Sequence, residues 1–286
     1  MAVKEAKELK GVLYRAREDI LKLGESKIRC ISFGNGERPL VMIQGLNTRS
    51  IKGMAMPLAF AYRLFAKEYR VYLFDRPSRL FESITVRDLA ASTASAMDVL
   101  GLKDADVLGV SQGGMIAQYL AIDRPDLVRK MVLAVTLSKN NPVVEDAIQK
   151  WTKLTIANDF KTMVADMAER MYTQKYVRRY KLLMPLLVAL QKPSDIPRFL
   201  TLAKACLTCN AYDELEKIMC PTLVIGATED RVVGAEASYE IAEKLGCEIF
   251  MYEKLGHAAY EEAKDFNRRV LDFFQDISEI SKAKMC

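Results

Sequence analysis

Three residues far apart in the chain have the types and the order of a nucleophilic catalytic site. The first is Ser111, in the stretch Gly109-Val110-Ser111-Gln112-Gly113, where an apolar run ends and a helical pattern begins. This G-x-S-x-G spacing is typical of a sharp strand-to-helix turn, because bulky residues two positions from the serine would collide there. A serine hydroxyl is a poor nucleophile and needs a base. The pattern therefore predicts that Ser111 is activated by a second side chain.

The base and its partner are predicted in two loops much later in the chain. His257 is the only histidine of the sequence and follows the last predicted strand. Asp230, just beyond the strand predicted at 221–228, would hold the imidazole in the right tautomer, with Glu229 as the alternative acid. Ligands of a parallel sheet bind at the carboxyl ends of its strands. We therefore expect Ser111, Asp230 and His257 to meet there as a triad.

Short apolar segments that alternate with helical patterns predict an α/β fold, with a mostly parallel central sheet flanked by helices. The strands are predicted at 27–33, 39–44, 70–75, 105–110, 129–136, 221–228 and 248–252. The turn residues Gly34, Asn35 and Gly36 predict a hairpin between the first two of these strands. The spacing of apolar residues over the first 24 positions predicts an accessory helix before them.

A segment without any strand pattern interrupts this alternation. It contains four helical stretches and predicts an all-helical cap at 139–210, inserted between core segments 1–138 and 211–286. A cap over the strand ends is expected to select the substrate. Met163 and Met167, four residues apart, predict either packing within the cap or a deformable apolar wall of the pocket. Tyr260, just past His257, allows the same two interpretations.

The composition and charge of the chain limit the classes of protein to which it can belong. Half of the residues are hydrophobic and 28% are charged, the ordinary balance of a folded domain. The net charge of +5 is concentrated at 139–209, with 12 basic and 6 acidic residues, which favours a solvated helix face over a nucleic-acid site. No apolar stretch reaches the roughly 18 residues of a membrane span. The N-terminus lacks the apolar block of a secretion signal, which predicts a cytoplasmic protein.

The six cysteines do not form the dense framework of a small secreted domain. Cys206 and Cys209 are the only close pair, and no second pair could complete a zinc site with them. We expect these cysteines to be structural, with redox or metal use as the alternative.

Four stretches together resemble the α/β-hydrolase superfamily, and in particular its members with an inserted cap. They are GVSQGG, GATEDRVV, GHAAYEE and MIQGLNT, and the resemblance covers roughly residues 25–275. It implies the α/β-hydrolase fold and acyl transfer through an acyl-serine, without a metal ion or organic cofactor. In that superfamily a backbone N–H after the glycine of the strand end forms half of the oxyanion hole. Carried over, the two donors are the N–H groups of Leu46 and Gln112.

The chain also departs from the pattern of the superfamily. Gln44 stands where histidine is common, which leaves the backbone donor unchanged. Asn47 is a candidate for a further side-chain donor or for a turn residue. The stretch FDRPSR lacks the Gly-x-Gly often found after that strand, and we interpret its Asp75 and Arg76 as structural.

These observations predict a serine hydrolase that cleaves a carboxylic ester or thioester of a small molecule with apolar groups. Acyl transfer, carbon–carbon bond hydrolysis and perhydrolysis are alternatives, because pocket shape alone decides which acceptor competes with water. A receptor that binds its ligand on the same fold with little or no turnover is the alternative outside enzymes. A nucleic-acid partner is not expected, because the basic charge is local and no binding motif accompanies it.

Overall fold

The computed structural model describes residues 15–276, whose strands form one eight-stranded sheet in the order β1-β2-β4-β3-β5-β6-β7-β8. The strands are β1 (Arg17–Leu23), β2 (Ser26–Phe33), β3 (Arg38–Ile43), β4 (Tyr69–Phe74), β5 (Ala105–Val110), β6 (Val128–Ala134), β7 (Thr222–Ala227) and β8 (Glu248–Tyr252). β2 pairs antiparallel with β1 and β4, and all other neighbours are parallel. The mostly parallel sheet predicted from the sequence is confirmed.

The described helices begin and end as follows: α1 (Ala55–Ala61), α2 (Val86–Val99), α3 (Gln112–Asp123), α4 (Pro142–Ile156), α5 (Phe160–Met171), α6 (Gln174–Tyr180), α7 (Met184–Gln191), α8 (Ile196–Cys206), α9 (Glu236–Leu245), α10 (Ala259–Glu262) and α11 (Phe266–Phe274). Local chemistry explains several of these ends. At the start of α2, the Thr85 hydroxyl accepts from the Asp88 N–H (3.1 Å) and the Asp88 carboxylate accepts from the Thr85 N–H (2.8 Å). This capping box supplies partners for backbone donors that the helix itself leaves unpaired.

Apolar side chains cover both faces of the sheet. In β3, Val41 and Ile43 point to one face, toward α2, α3 and α9, whereas Leu40 and Met42 point to the other, toward α1 and α11. Alternate residues of a strand point to opposite faces, so a strand buried on both sides reads as a continuous apolar run. This is why the central strands are recognisable in the sequence.

The N-terminal segment differs from its prediction. The prediction of an accessory helix is wrong for Arg17–Leu23, because these residues form the edge strand β1. Residues 1–14, which the prediction also covered, lie outside the described part of the chain. In β1 only Leu21 is buried, so its apolar residues follow no clear strand period. Pairing with β2 along its whole length decides the conformation instead.

The predicted hairpin between β2 and β3 is also wrong, because β4 lies between these strands. The two glycines allow a close crossing of the backbone. A Cβ atom on Gly34 would lie 2.2 Å from the carbonyl oxygen of Tyr69, and one on Gly36 would lie 2.1 Å from that of Glu68. Only a residue without a side chain fits at such distances.

Helices α4 to α8 lie between β6 and β7 and form the helical insertion, residues 142–206. Side chains of Asn141, Asp159 and Asp195 cap α4, α5 and α8 by accepting from backbone N–H groups. A single β-bridge between Lys139 and Asn210 joins the segments that lead into and out of the insertion. A helical insertion therefore interrupts the chain between the sheet strands β6 and β7, while its role as a cap and the domain boundaries at 138/139 and 210/211 remain predictions.

Candidate active site

Ser111 lies on a strained corner between β5 and α3. Its backbone has φ +54° and ψ −121°, a conformation that residues other than glycine rarely adopt. A Cβ atom on Gly113 would lie 1.9 Å from the carbonyl oxygen of Ile43, and one on Gly109 would lie 2.6 Å from that of Gly113. Gly113 is therefore required by the close approach of the corner to the end of β3, and Gly109 by the close approach of β5 to the start of α3.

The three predicted triad residues meet at the carboxyl edge of the sheet. The imidazole Nε2 of His257 lies 2.9 Å from the hydroxyl of Ser111, and its Nδ1 lies 2.8 Å from Oδ2 of Asp230. With the proton on Nδ1 donated to the carboxylate, Nε2 is free to accept from the hydroxyl. His257 and Asp230 are buried, whereas Ser111 is only half-buried.

Asp230 is held as an anion by its surroundings. Burial by itself raises the pKa of Asp230, but the adjacent His257 and the hydrogen bonds to the carboxylate together bring that pKa below its ordinary value. Two of these hydrogen bonds come from the N–H groups of Val232 (2.8 Å) and Val233 (3.0 Å). The alternative acid, Glu229, is exposed. The fold brings Asp230, and not Glu229, to the imidazole.

The loop that carries His257 is bonded to the end of α5 in the helical insertion. The Ala258 N–H donates to the carbonyl of Met171 (2.8 Å), and a Cβ atom on Gly256 would lie 2.6 Å from the same oxygen. The hydroxyl of Thr173 donates to the carboxylate of Glu262 (2.7 Å). The insertion therefore helps to position the predicted base.

The predicted oxyanion donors come from two segments beside Ser111. Gln112 is the first residue of α3, where backbone N–H groups have no partner within the helix. A Cβ atom on Gly45 would lie 3.2 Å from that of Ser111, so the loop that continues into Leu46 passes the serine closely. Asn47 is half-buried in the same loop. The roles of Leu46, Gln112 and Asn47 remain predictions.

Arg76 is buried beside this loop, and its contacts there were not predicted. Its Nη2 donates to the carbonyl of Gln44 (2.6 Å), and both Nε and Nη2 donate to the side-chain oxygen of Gln112 (3.2 Å each). Burial lowers the pKa of Arg76 to about 10, although the neighbouring Asp75 opposes this shift. A charged residue directly after a buried strand, at the carboxyl edge, was the one available signal.

The predicted pocket residues make packing contacts. Met163 is fully buried, and its sulfur accepts from the hydroxyl of Thr155 at 3.0 Å. Met167 is half-buried against the same core. The ring of Tyr260 packs edge-on against Phe266. Whether any of these three side chains lines the substrate pocket remains a prediction.

The thiols of Cys206 and Cys209 are buried and not joined in a disulfide, and burial raises their pKa values to about 11 and about 12. Within residues 15–276, no group of three or more His, Cys, Asp or Glu side chains could hold a metal ion. The same residues contain no helix that is long and apolar enough to cross a membrane.

Comparison with known proteins decides the family. The family model for the alpha/beta hydrolase fold matches residues 38–264. The chain belongs to the α/β-hydrolase family. This α/β hydrolase is similar to curated relatives that are themselves hydrolases. The chain is 27% identical, over 72% of its length, to a 2-hydroxy-6-oxo-6-phenylhexa-2,4-dienoate hydrolase of Comamonas testosteroni, and it covers 77% of that relative.

A second relative is the 2-hydroxy-6-oxononadienedioate/2-hydroxy-6-oxononatrienedioate hydrolase of a Pseudomonas species, at 27% identity over 84% of this chain and 89% of the relative. Among solved structures, the hydrolase is similar to MGS-M2, an alpha/beta hydrolase enzyme from a deep-sea metagenome library of the Medee basin. The TM-score is 0.81 at 24% identity, over 90% of this chain and 97% of the other. That likeness concerns the fold.

Proposed function

We propose that this α/β hydrolase is a serine hydrolase in which Ser111 is the nucleophile, His257 the general base and Asp230 the group that orients the imidazole. The continuous chain of short contacts from the Ser111 hydroxyl through the imidazole to the Asp230 carboxylate carries the proposal. The half-buried Ser111 lies against the buried imidazole of His257, so the serine is the more accessible of the two. This is the arrangement that activates a weak nucleophile.

In the first half of the reaction, the Ser111 oxygen adds to a substrate carbonyl carbon while Nε2 of His257 takes the hydroxyl proton. The carbonyl oxygen becomes an anion, for which the N–H groups of Leu46 and Gln112 are the proposed donors. Each such donor contributes roughly 3 kcal/mol in comparable sites. The bond to the leaving group then breaks, and the leaving group takes the electron pair and the proton from His257.

In the second half, water attacks the acyl group on Ser111. His257 removes a proton from the water and returns it to the serine oxygen as the acyl bond breaks. The products are a carboxylic acid and the restored hydroxyl. Asp230 stays ionised throughout and stabilises the imidazolium each time it forms.

The two relatives favour a carbon–carbon bond as the one that breaks. The Comamonas enzyme is named for a 6-oxo-6-phenylhexadienoate, a compound with a ketone but no ester or amide linkage. Hydrolysis of such a compound must cut a carbon–carbon bond beside the ketone. We propose a substrate of this kind, whose departing carbon passes its electron pair into the conjugated chain. It takes the place of the ester that the sequence led us to expect first.

A carboxylic ester or thioester is the second candidate, and one observation favours it. The cations Arg76 and Arg198 donate to protein oxygens: Arg76 to Gln44, and Arg198 to the carbonyls of Arg76 (2.9 Å) and Pro77 (2.6 Å). A dienoate carries a carboxylate that needs a cationic partner when it is desolvated. Guanidinium groups already bonded to the protein are less available for that purpose.

The test compares 2-hydroxy-6-oxo-6-phenylhexa-2,4-dienoate with p-nitrophenyl esters of increasing acyl length. We expect a higher kcat/KM on the dienoate, and a loss of about 1,000-fold or more on every substrate in Ser111→Ala and His257→Ala. Labelling by a fluorophosphonate should vanish in Ser111→Ala. Ser95→Ala, on the exposed face of α2, is the matched control and should keep full activity. Tight ligand binding without turnover in the wild type, unchanged in Ser111→Ala, would instead identify a receptor.

A further inference from the structure

We infer that Arg76 is a positioning residue that fixes the two proposed oxyanion donors relative to each other; this rests on the proposed function. Its guanidinium joins the loop after β3 to the first residue of α3. On one side Nη2 donates to the carbonyls of Gln44 (2.6 Å) and Gly45 (3.4 Å), and on the other Nε and Nη2 donate to the side chain of Gln112. The arginine is 5% exposed, so water competes little for these contacts.

The contact with Gly45 acts directly on a proposed donor. The carbonyl of Gly45 and the N–H of Leu46 belong to the same peptide unit, which is planar and trans. A hydrogen bond that holds the carbonyl from one side therefore sets the direction in which the N–H points on the other. The stronger bond to Gln44 holds the preceding peptide as well.

The side chain of Gln112 is held at both ends of its amide. Its oxygen accepts from Arg76, and its Nε2 donates to the carbonyl of Leu202 in α8 (2.7 Å). Because this side chain starts from the same Cα as the proposed backbone donor, its fixation limits rotation at the start of α3. Arg76 itself is anchored through its N–H to Asp75 (2.8 Å) and through its carbonyl to Arg198.

An arginine is required for this geometry. Its planar fork reaches acceptors on two segments at once, whereas a lysine places one ammonium against a single acceptor and a methionine offers no donor. Oxyanion donors act mainly on the charge that develops in the transition state. Misplacement of the donors should therefore lower kcat more than it raises KM.

The experiment measures kcat and KM for Arg76→Met and Arg76→Lys on the best substrate, normalised to folded protein. We expect kcat to fall about 10- to 100-fold in Arg76→Met, with KM within about threefold, and an intermediate kcat in Arg76→Lys. Arg79→Met is the matched control in the same loop, because Arg79 is exposed, and it should match the wild type. Wild-type kcat in Arg76→Met, or a change confined to KM, would overturn the inference.

A second pair of variants keeps the test valid if Arg76→Met does not fold. Gln112→Met removes the side-chain acceptor but keeps the backbone N–H, and it should lower kcat in the same way. In the double variant with Arg76→Lys, the fold-loss of kcat should be smaller than the product of the two single fold-losses, because both changes break one network. A fold-loss equal to that product would overturn the inference. Activity that survives in Ser111→Ala would refute the proposed function instead, so the two failures are distinguishable.

A different part of the molecule supports an independent inference about the surface of the helical insertion. The leucine-basic surface, as we name it, is formed by the exposed residues described within 171–194. Its leucines are exposed at the 3-10 turn before α7 and along α7: Leu182 (94%), Leu183 (47%), Leu186 (55%) and Leu190 (54%). Residues four apart lie on one side of a helix, so Leu186 and Leu190 share one side of α7, while Leu182 and Leu183 precede them in the 3-10 turn. The opposite side of α7 packs inward through Val188.

The charge of this segment has a single sign. Residues 171–194 contain five basic and no acidic residues, which equals the net charge of the whole chain. Lys175, Arg178 and Arg179 are exposed on α6, which precedes the exposed leucines in the chain. Exposed apolar side chains beside clustered basic ones are typical of a surface that lies in the interface of an anionic membrane.

We propose that this surface docks on an anionic lipid bilayer. A second copy of the chain fits less well, because two such surfaces would bring basic residues of like charge together, and residues 171–194 contain no Asp or Glu. A bilayer with anionic headgroups supplies both the apolar layer for the leucines and the opposite charge. This proposal is independent of the catalytic one.

The experiment is flotation of the full chain with phosphatidylcholine vesicles, with and without phosphatidylglycerol. We expect binding only to the anionic vesicles, and we expect high salt to weaken it. The double variant Leu186→Ser with Leu190→Ser should bind less. The double variant Lys175→Glu with Arg178→Glu should bind at least about tenfold less. Binding that does not depend on phosphatidylglycerol, or no binding at all, would overturn the proposal. So would a dimer that the leucine changes dissociate, in the absence of vesicle binding.

Matched controls come from exposed residues outside this surface. Phe81→Ser removes an apolar side chain that is 76% exposed, and Lys103→Glu reverses an exposed charge. Both should bind anionic vesicles as the wild type does. A loss of binding as large as in the surface variants would show that the effect is not specific to residues 171–194, and would overturn the proposal.

Discussion

The three side chains of the proposed triad differ in their access to solvent, and this difference fits their roles. Asp230 accepts two backbone hydrogen bonds besides the one from His257, which keeps its charge in a buried place. The imidazole is buried between the carboxylate and the hydroxyl. Ser111 remains reachable. Because the pKa of Asp230 is depressed in the fold, this carboxylate stabilises the fold at pH values above the ordinary pKa of an aspartate. The stabilisation is lost as the pH falls through the depressed pKa.

The choice between the two neighbouring acids is testable at this scale. We expect Asp230→Asn to lower kcat about 10,000-fold while the fold is kept, because the amide favours the wrong imidazole tautomer. Glu229→Gln should leave kcat nearly unchanged, because Glu229 is exposed. Steady-state kinetics on one substrate checks both variants. A larger loss in Glu229→Gln than in Asp230→Asn would contradict the assignment.

At the scale of elements, the helical insertion is bonded to each loop of the site. The end of α5 holds the loop of His257 through Met171. The segment before α8 holds the loop after β3, where the Ser194 N–H donates to the carbonyl of Thr48 (3.3 Å). Within α8, Arg198 holds Arg76. The insertion therefore holds the loops that carry the proposed catalytic residues.

The packing of α3 against β3 predicts the cost of a single methyl group. Gly113→Ala would place a carbon 1.9 Å from a backbone oxygen that cannot move without the sheet, so we expect a loss of about 3 kcal/mol or more in the free energy of unfolding. Gly24→Ala is the control, because nothing lies within 4 Å and only its φ of +58° opposes the change. It should cost about 1 kcal/mol. Urea denaturation of both variants checks this, and equal losses would contradict it.

Across the whole molecule, a partly buried ion pair connects the strand before Ser111 to the last described helix. Asp106 in β5 is fully buried and accepts from Arg129 in β6 (2.6 Å), which also donates to the carbonyl of Phe274 at the end of α11 (3.0 Å). Burial raises the pKa of Asp106, although Arg129 opposes this shift. Asp106 is therefore an acid whose ionisation in the fold depends on its partner.

Removal of that partner should destabilise the protein in a pH-dependent way. We expect Arg129→Met to cost roughly 3 kcal/mol at neutral pH, because it leaves a buried carboxylate unpaired. Because the pKa of Asp106 is raised in the fold, the penalty is relieved as the pH falls through that pKa, so the loss should be smaller at acidic pH than at neutral pH. Arg124→Met, which breaks a surface network, should change stability much less. A pH-independent loss, measured by denaturation at both pH values, would contradict this account.

Much of this protein is predictable from local pattern. The continuous apolar runs predict the buried strands because both faces of the sheet are covered. The glycines around Ser111 predict the corner because the close approach of β3 excludes side chains there. The single histidine and the acids after β7 identify the candidates for the triad, since strand ends of a parallel sheet share one edge. In each case the constraint selects residue types within one short stretch of the chain, so a local pattern in the sequence is enough to recognise it.

What only the tertiary structure decided concerns partners that are distant in the chain. β4 lies between β2 and β3, against the hairpin that their turn residues predicted. Asp230, rather than the adjacent Glu229, faces the imidazole. Arg76 is bonded to the loop after β3 through backbone carbonyls. Every residue has such a carbonyl, so no residue type marks it as an acceptor. Strand order and the direction of a carbonyl depend on how the whole chain packs.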